Sequence, residues 1–380
     1  LSVNRIRVLH IVAGLDIGHT FGGAERSAIE LALALNPNAF DVRVCAFWRC
    51  DTPPETEWQR ALEAQSISVC FATPSGARRN SSDFWRGARW VADWCRAQPV
   101  DIVHAHHEGG ALAALWARNR GGTRIAMRTA YVPHDEEWGH GPINALLRHI
   151  FTDHVFPVSL NAEVSVSPDH HRQLGLRPHR ARQLALIYNA RTLQSVPPRL
   201  RDQPVIGNVG RLTTQKGQVD LIEALPVVRQ HVPDARLLIA GEGELRPSLV
   251  GRAAALGIGD QVQLLGQRQD VQDLMKQMAI IAMPSRWEGI PLAFLEAVAA
   301  GVPVVASDIP GFREFIVHRQ SGWLVPPQDS TALADAMIEA LTQPQLALAC
   351  AQAAQRSILP QFSMDVIAEK YQALYRSILS

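Results

Sequence analysis

The chain is short of most features that mark a specialised class. Lysine occurs three times, at 216, 276 and 370, and Lys+Arg 37 barely exceed Asp+Glu 36, so the basic excess that makes nucleic acid the default partner is missing. Five cysteines, at 45, 50, 70, 95 and 350, are odd in number and form no C-x-x-C pair. That pattern suggests neither a disulfide framework nor a zinc knuckle and points to a reducing, cytoplasmic compartment. Long apolar runs are absent too: AVAAGVPVVA, after Glu296, is cut by Gly and Pro, so no membrane-crossing helix is expected. The opening LSVNRIRVLHIVAG does not read as a signal peptide. What remains is 380 residues, 47% hydrophobic and 19% charged, too many for one ordinary core and enough for two domains. Charge is uneven: residues 1–200 carry 22 basic against 18 acidic side chains and the rest 15 against 18.

Short β-branched runs alternate with helical patterns along nearly the whole length, as in parallel sheets crossed by helices. Strands are expected at 6–13, 42–48, 67–72, 101–106, 124–129, 154–159 and 185–189 in the first half, and at 205–210, 235–241, 262–266, 279–285, 302–307 and 322–326 in the second. Between the halves, SVPPRLRDQP (195–204) has three prolines and no periodicity and reads as a linker. The fold class is therefore α/β, with two Rossmann-like, doubly wound domains, 1–197 and 198–360, facing a central cleft. The last segment, 361–380, has apolar residues at 366, 367, 371, 374, 375 and 378, a helical spacing suited to packing back on the first domain.

The most informative stretch is PSRWEGIPLAFLEAVAAGVPVVASDIPGFREFI, 284–316. Gly289 allows a close backbone approach, Pro291 suits the first turn of a helix running to Gly301, and the free N–H groups at that helix start make an anion site. Glu296 has only Leu292, Ala293, Ala299 and Ala300 as its helical neighbours, so its carboxylate needs a partner: a distant side chain or backbone N–H, or a pair of ligand hydroxyls. Glu288 lies on the loop after a strand, where ligands of open α/β sheets collect, and pairs with Glu296 as E-x7-E. VGRLTTQKG (209–217) again follows a strand and opens a helix; Arg211 and Lys216 suit a diphosphate whose charge grows as its bond breaks. It is not a P-loop, and GEGEL (241–245) is not a dinucleotide fingerprint. FGGAERS (21–27) is a glycine-rich turn in which Gly22 and Gly23 either admit a phosphate or sugar or simply join strand to helix. In DIVHAHHEGG, His104 and His106 share one strand face; no carboxylate stands fixed beside them to favour a metal, and contact with a sugar hydroxyl or the acceptor is the better reading.

Taken together, FGGAERS, DIVHAH, VGRLTTQKG, GEGEL and EGIPLAFLEAVAAGVPVVASDIPG make the chain similar, over nearly its whole length, to the retaining nucleotide-sugar glycosyltransferases of family 4, the group 1 glycosyl transferases of GT-B fold. The resemblance implies that Glu296 holds the ribose hydroxyls and that Glu288 contacts the donor sugar. It gives the diphosphate to Arg211 and Lys216, with backbone groups of Gly289, Ile290, Pro291 and Leu292, and the donor-facing loop to Gly22 and Gly23. It further implies transfer with retained anomeric configuration and no metal or other cofactor, since cations and a helix N-terminus replace the ion. The donor is expected to be a UDP- or GDP-sugar and the acceptor a carbohydrate or lipid-linked hydroxyl, in cell-surface polysaccharide, lipopolysaccharide or glycolipid synthesis.

Two departures from the family pattern stand out. YNAR (Asn189 to Arg191) replaces the usual Asn-Gly-acidic run, and Arg128 or Thr129 stands where members often have a histidine after the fifth strand. Thr129 therefore joins His104 and His106 as a candidate acceptor or sugar contact, with His134 a further possibility. Three rivals remain: a phosphorylase, disfavoured by the scarcity of lysine for pyridoxal phosphate; a sugar-nucleotide epimerase, disfavoured by the E-x7-E block; and a non-catalytic nucleotide-sugar-binding relative. PINALLRHIFTDH (142–154), with Arg148, His149 and His154, is either half-buried or a peripheral membrane contact of the first domain, on the inner face of the plasma membrane.

Overall fold

The computed structural model describes residues 5–17, 20–78, 80–130, 146, 149–177, 183–189, 192–268, 270–289 and 292–380. They form two compact units, Leu1–Arg191 with Met364–Ser380, and Thr192–Ser363.

Unit 1 is a seven-stranded parallel sheet in the order β3-β2-β1-β4-β5-β6-β7. Its strands are β1 (Ile6–Val12), β2 (Phe40–Ala46), β3 (Ser68–Phe71), β4 (Ile102–Ala105), β5 (Ile125–Ala130), β6 (Ala162–Ser165) and β7 (Gln183–Leu186). Unit 2 has six strands in the order β10-β9-β8-β11-β12-β13. These are β8 (Val205–Val209), β9 (Arg236–Ala240), β10 (Val262–Gly266), β11 (Ile280–Met283), β12 (Val304–Ser307) and β13 (Trp323–Val325). Helices cover both faces, so central strands such as β4, β11 and β12 are buried at every residue and are mostly apolar, β11 (IIAM) without a break. Each sheet reverses its strand order once, between β1 and β4 and between β8 and β11. Connections leave in opposite directions there and open a crevice at the carboxyl ends of the strands.

One expected strand is absent. Residues 154–159 are helical, Ile150–Val155 as a π-helix and Phe156–Ser159 as an α-turn with Pro157 near its start. The strand is AEVS, 162–165, whose apolar pattern is broken by Glu163. That carboxylate is fully buried and lies in register with Arg128 of β5, whose Nε reaches its Oε1 at 2.7 Å. Arg128 in turn sits 4.4 Å above the Phe156 ring, so the pair is covered as well as neutralised.

The helix Met364–Leu379 belongs to unit 1: Met364, Ile367, Ala368, Tyr371, Leu374 and Tyr375 complete the core around β1 and β2. The proline-rich segment after Thr192 is pinned on unit 2, where the Val196 N–H donates to the Ala299 carbonyl at 2.9 Å and Gln355 Nε2 donates to the Val196 carbonyl at 2.8 Å.

Candidate functional site

In unit 2 the loops that follow β8 and β11 meet at the reversal of strand order. After β8 the chain passes Gly210 and Arg211, makes a 3-10 turn at Thr214–Lys216 and enters the helix Gln218–His231 through Gly217. Gly217 has φ +66°, and a Cβ there would stand 2.1 Å from the Pro284 carbonyl oxygen, so only glycine lets the two loops touch. The contact is sealed by the Arg286 N–H donating to the Gln215 carbonyl at 2.8 Å. Lys216 Nζ consequently lies 2.5 Å from Glu288 Oε1, and Ser285 Oγ donates to the same oxygen at 2.9 Å. Gln215 Nε2 reaches the other carboxylate oxygen at 3.5 Å and the Trp287 carbonyl at 3.0 Å. The Glu288 side chain is 7% exposed and that of Lys216 18%, which makes a partly desolvated ion pair at a crevice mouth. From the far side, the turn Pro310–Arg313 leans on this loop: a Cβ on Gly311 would lie 2.0 Å from the Gly289 carbonyl oxygen.

Glu296 is buried on the helix Leu292–Ala299 among Phe294, Leu295, Ala297 and Val298. Among the described residues of unit 2 it is the one Asp, Glu, Lys, Arg or His buried as a whole residue. Arg211 is exposed; its carbonyl accepts from Gln218 Nε2 at 2.9 Å. Gln218 also reaches Asn208 Oδ1 at 3.3 Å, and Asn208 Nδ2 donates to the Ala282 carbonyl at 2.8 Å, tying β8 to β11 beneath the site. Ile290 and Pro291 lie outside the described residues, between Gly289 and the helix start at Leu292. Sequence reasoning missed Ser285, Gln215 and Gly311. Ser285 and Gln215 flank residues already singled out and carried no signal of their own, whereas the PG pair at 310–311 after a strand was a legible turn.

In unit 1, Gly22 precedes the helix Gly23–Ala34, and its N–H donates to Glu25 Oε2 at 3.2 Å, which fixes the turn by a capping contact. Asp16 braces the same loop, accepting from Thr20 Oγ1 at 2.5 Å and from Thr52 Oγ1 at 2.8 Å. His104 on β4 and His106 just past its end come together, and His10, the in-register neighbour of His104 on β1, joins them unforeseen. His10 Nδ1 is 2.9 Å from His106 Nε2. His104 spans Tyr375 OH at 2.7 Å and Thr129 Oγ1 at 2.8 Å, and Thr129 reaches Tyr371 OH at 3.0 Å. His104 and Thr129 are thus buried against the helix Met364–Leu379 and His106 against His10 and His104, rather than turned to solvent. Burial pushes His10 down to about 3 and holds His104 and His106 well below the usual imidazole value; it raises both tyrosine phenols.

One nitrogen from each of the three imidazoles lies within 4.8 Å of the others, close enough to consider a metal. Ligation by His104 would forfeit its hydrogen bond to Thr129 or Tyr375. His107 takes no part: its Nδ1 accepts from the Gly110 N–H at 3.0 Å and caps the helix Glu108–Gly121. His134 lies outside the described residues, as do Ala190, Arg191 and most of 142–148.

Comparison with known proteins agrees with this architecture. Residues 191–357 match the family described as Glycosyl transferases group 1, and residues 21–190 match Glycosyltransferase Family 4. Among curated proteins, the chain is 29% identical over 181 residues to the alpha-D-kanosaminyltransferase of Streptomyces kanamyceticus, covering 47% of each. It is 34% identical over 181 residues to a GDP-mannose-dependent alpha-(1-6)-phosphatidylinositol monomannoside mannosyltransferase of Mycobacterium tuberculosis, covering 45% of this chain and 47% of that one. The matches thus span about half the length of these relatives. Among solved structures, Anabaena Alr3699/HepE in complex with UDP and glucose superposes with a TM-score of 0.79 at 20% identity, over 98% of this chain and all of the other. Sucrose-phosphate synthase from Thermosynechococcus elongatus gives 0.79 at 20%, over 98% and 99%. With both halves matched and the two-sheet GT-B architecture in place, the chain belongs to the group 1, family 4 glycosyltransferases.

Proposed function

We propose that the chain is a retaining, metal-independent hexosyltransferase that moves a sugar from a UDP- or GDP-linked donor to a hydroxyl of a carbohydrate or lipid-linked acceptor. The observation that carries this reading is the Lys216–Glu288 pair at the carboxyl ends of β8 and β11, with Ser285 and Gln215 on the same carboxylate. An ammonium has three donors, so Lys216 can hold Glu288 and a phosphate oxygen together, coupling the carboxylate beside the sugar to the charge that grows on the departing diphosphate. Arg211, exposed on the same loop, supplies the second cation, and together they do the work otherwise given to a divalent ion. The buried carboxylate of Glu296 suits the paired hydroxyls of a ribose. Attack by the acceptor on the face from which the diphosphate leaves gives retention.

A UDP-bearing structural neighbour and a GDP-mannose-dependent relative support the two donor classes, and the phosphatidylinositol mannoside acted on by that relative supports a lipid-linked acceptor in surface glycan or glycolipid synthesis. Such work belongs on the cytoplasmic side, with the first unit near the inner face of the plasma membrane.

The test is a thermal-shift panel of UDP, GDP, ADP and their sugar conjugates, with and without chelator. One nucleotide family is expected to raise the midpoint by several degrees regardless of chelator. Glu296→Ala should abolish that shift, and Glu288→Ala should keep it and lose turnover. A shift that vanishes with chelator overturns the metal-independent reading, and a panel with no shift at all overturns the donor assignment.

A further inference from the structure

Four of the nine tryptophans, Trp85, Trp90, Trp94 and Trp116, gather on two packed helices of unit 1, Ser81–Ala97 and Glu108–Gly121. Trp85 is 47% exposed and Trp90 37%. At about 100° per residue, the solvent face of the first helix spans roughly 140°, with Trp85 on one rim, Trp90 on the other, and Arg96, Arg89 and Arg86 between them. The side chains of Arg86 and Arg89 are 76% and 78% exposed.

The indoles are held rather than loose. Trp85 stands edge-on to Trp116 at 5.3 Å and to Phe84 at 5.1 Å, and Trp90 stacks on Trp94 at 6.4 Å. Behind them Arg120 lies 5.4 Å over the Trp116 ring and Arg43 5.7 Å over that of Trp94. Two carboxylates neutralise part of the Arg86, Arg89 and Arg96 row: buried Asp83 accepts from the Arg78 N–H at 2.8 Å and pairs with Arg86, and exposed Asp93, on the same face, pairs with Arg96 at 3.0 Å and Arg89 at 3.8 Å, so three guanidinium groups share two carboxylates. From 78 to 121 the sequence has seven arginines against four carboxylates, a net +3 in a chain whose total is +1.

Fixed, half-exposed indoles on either side of an arginine row are costly in water and favourable at a bilayer boundary, where the ring takes the headgroup level and the guanidinium meets lipid phosphate. We infer that this face docks the protein on an anionic lipid surface through Trp85 and Trp90, with Arg86, Arg89 and Arg96 on the phosphates. It includes none of residues 142–154. It rests on the proposed transferase reading only for its purpose, the presentation of a lipid-linked acceptor.

The experiment is co-sedimentation of the full chain with vesicles of phosphatidylcholine alone and of phosphatidylcholine with one quarter phosphatidylglycerol, at low and high salt. The wild type is expected to bind only the anionic vesicles, and less in high salt. Trp85→Ala/Trp90→Ala and Arg86→Gln/Arg89→Gln should each weaken binding at least ten-fold, with unchanged unfolding midpoints, and Asp93→Asn should tighten it. The arginine variant keeps the test decisive if the tryptophan variant folds poorly. Absence of anionic-vesicle binding, equal binding by wild type and both variants, or binding indifferent to lipid charge overturns the inference. Nucleotide-induced thermal shifts on the same samples report separately on the donor site, so the two readings fail independently.

Discussion

Both units reverse their strand order at one place, yet they fill their interiors differently. Among the described residues, nineteen polar or charged side chains are buried in unit 1 and six in unit 2. Many of those in unit 1 bond to one another: the histidine–tyrosine cluster, the Arg128–Glu163 pair, and Asp16 with its two threonines. In unit 2 the interior is apolar apart from the Asn208–Gln218 tie and a few hydroxyls, and its charge gathers at the site, in Glu296 and the Lys216–Glu288 pair. Buried polarity that closes on itself specifies a fold, whereas a buried carboxylate on a helix that opens at a crevice is a candidate for chemistry.

Four experiments press on that contrast. The largest effect is expected from Arg128→Met, which strands Glu163 in the core and should cost about 3–5 kcal/mol in urea unfolding while nucleotide-induced shifts persist. Arg128→Met/Glu163→Leu should recover most of the loss; if it recovers none, the pair is not what holds β5 to β6. Glu288→Ala should lower kcat by about 10² to 10³-fold and leave the unfolding midpoint nearly unchanged, because the ammonium left behind can reach water. A large stability loss instead would make Glu288 part of the scaffold.

Acid should act mainly on unit 1. An unfolded histidine titrates near 6.5, whereas burial holds His10 at about 3 and His107 and His170 at about 4. The unfolded chain binds more protons between those limits, so this stability is whole above about pH 6.5 and drains as pH falls, each group contributing up to about 1.4 kcal/mol per pH unit. Hydrogen exchange at pH 7.5 and 5 should show unit 1 peptides losing protection first; parallel loss in both units would contradict it. The smallest effect is expected from Tyr375→Phe, which leaves His104 Nδ1 short of a partner and should cost about 1–3 kcal/mol without changing nucleotide affinity.

Much of this was legible in the sequence because it is local. Mostly apolar runs give the central strands, and glycines at 217 and 289 mark loops that must bend or approach closely. Lys216 and Glu288 could be singled out because each follows a strand on one side of the reversal. The strand at 162–165 was hidden because Glu163 breaks its pattern, and the charge makes sense only beside Arg128, 35 residues earlier. His10, Tyr371 and Tyr375 gave no signal as site neighbours, since their partners are far away in the chain; the Tyr375 to His104 contact spans 271 residues. Gly311 shows the same limit, its crowding visible only where two loops pack.

The position of Met364–Leu379 in the core of unit 1 has a consequence for synthesis. A ribosome releases every other residue of unit 1 before unit 2, but Tyr371 and Tyr375 emerge after unit 2 is complete. Unit 2 can close as a contiguous stretch of chain while unit 1 waits with His104 bonded to Thr129 but lacking Tyr375, and with part of one sheet face uncovered. The half translated first is therefore the half finished last, and a nascent chain stalled near residue 363 would hold an intact second unit beside an exposed apolar face, the kind of surface that chaperones bind.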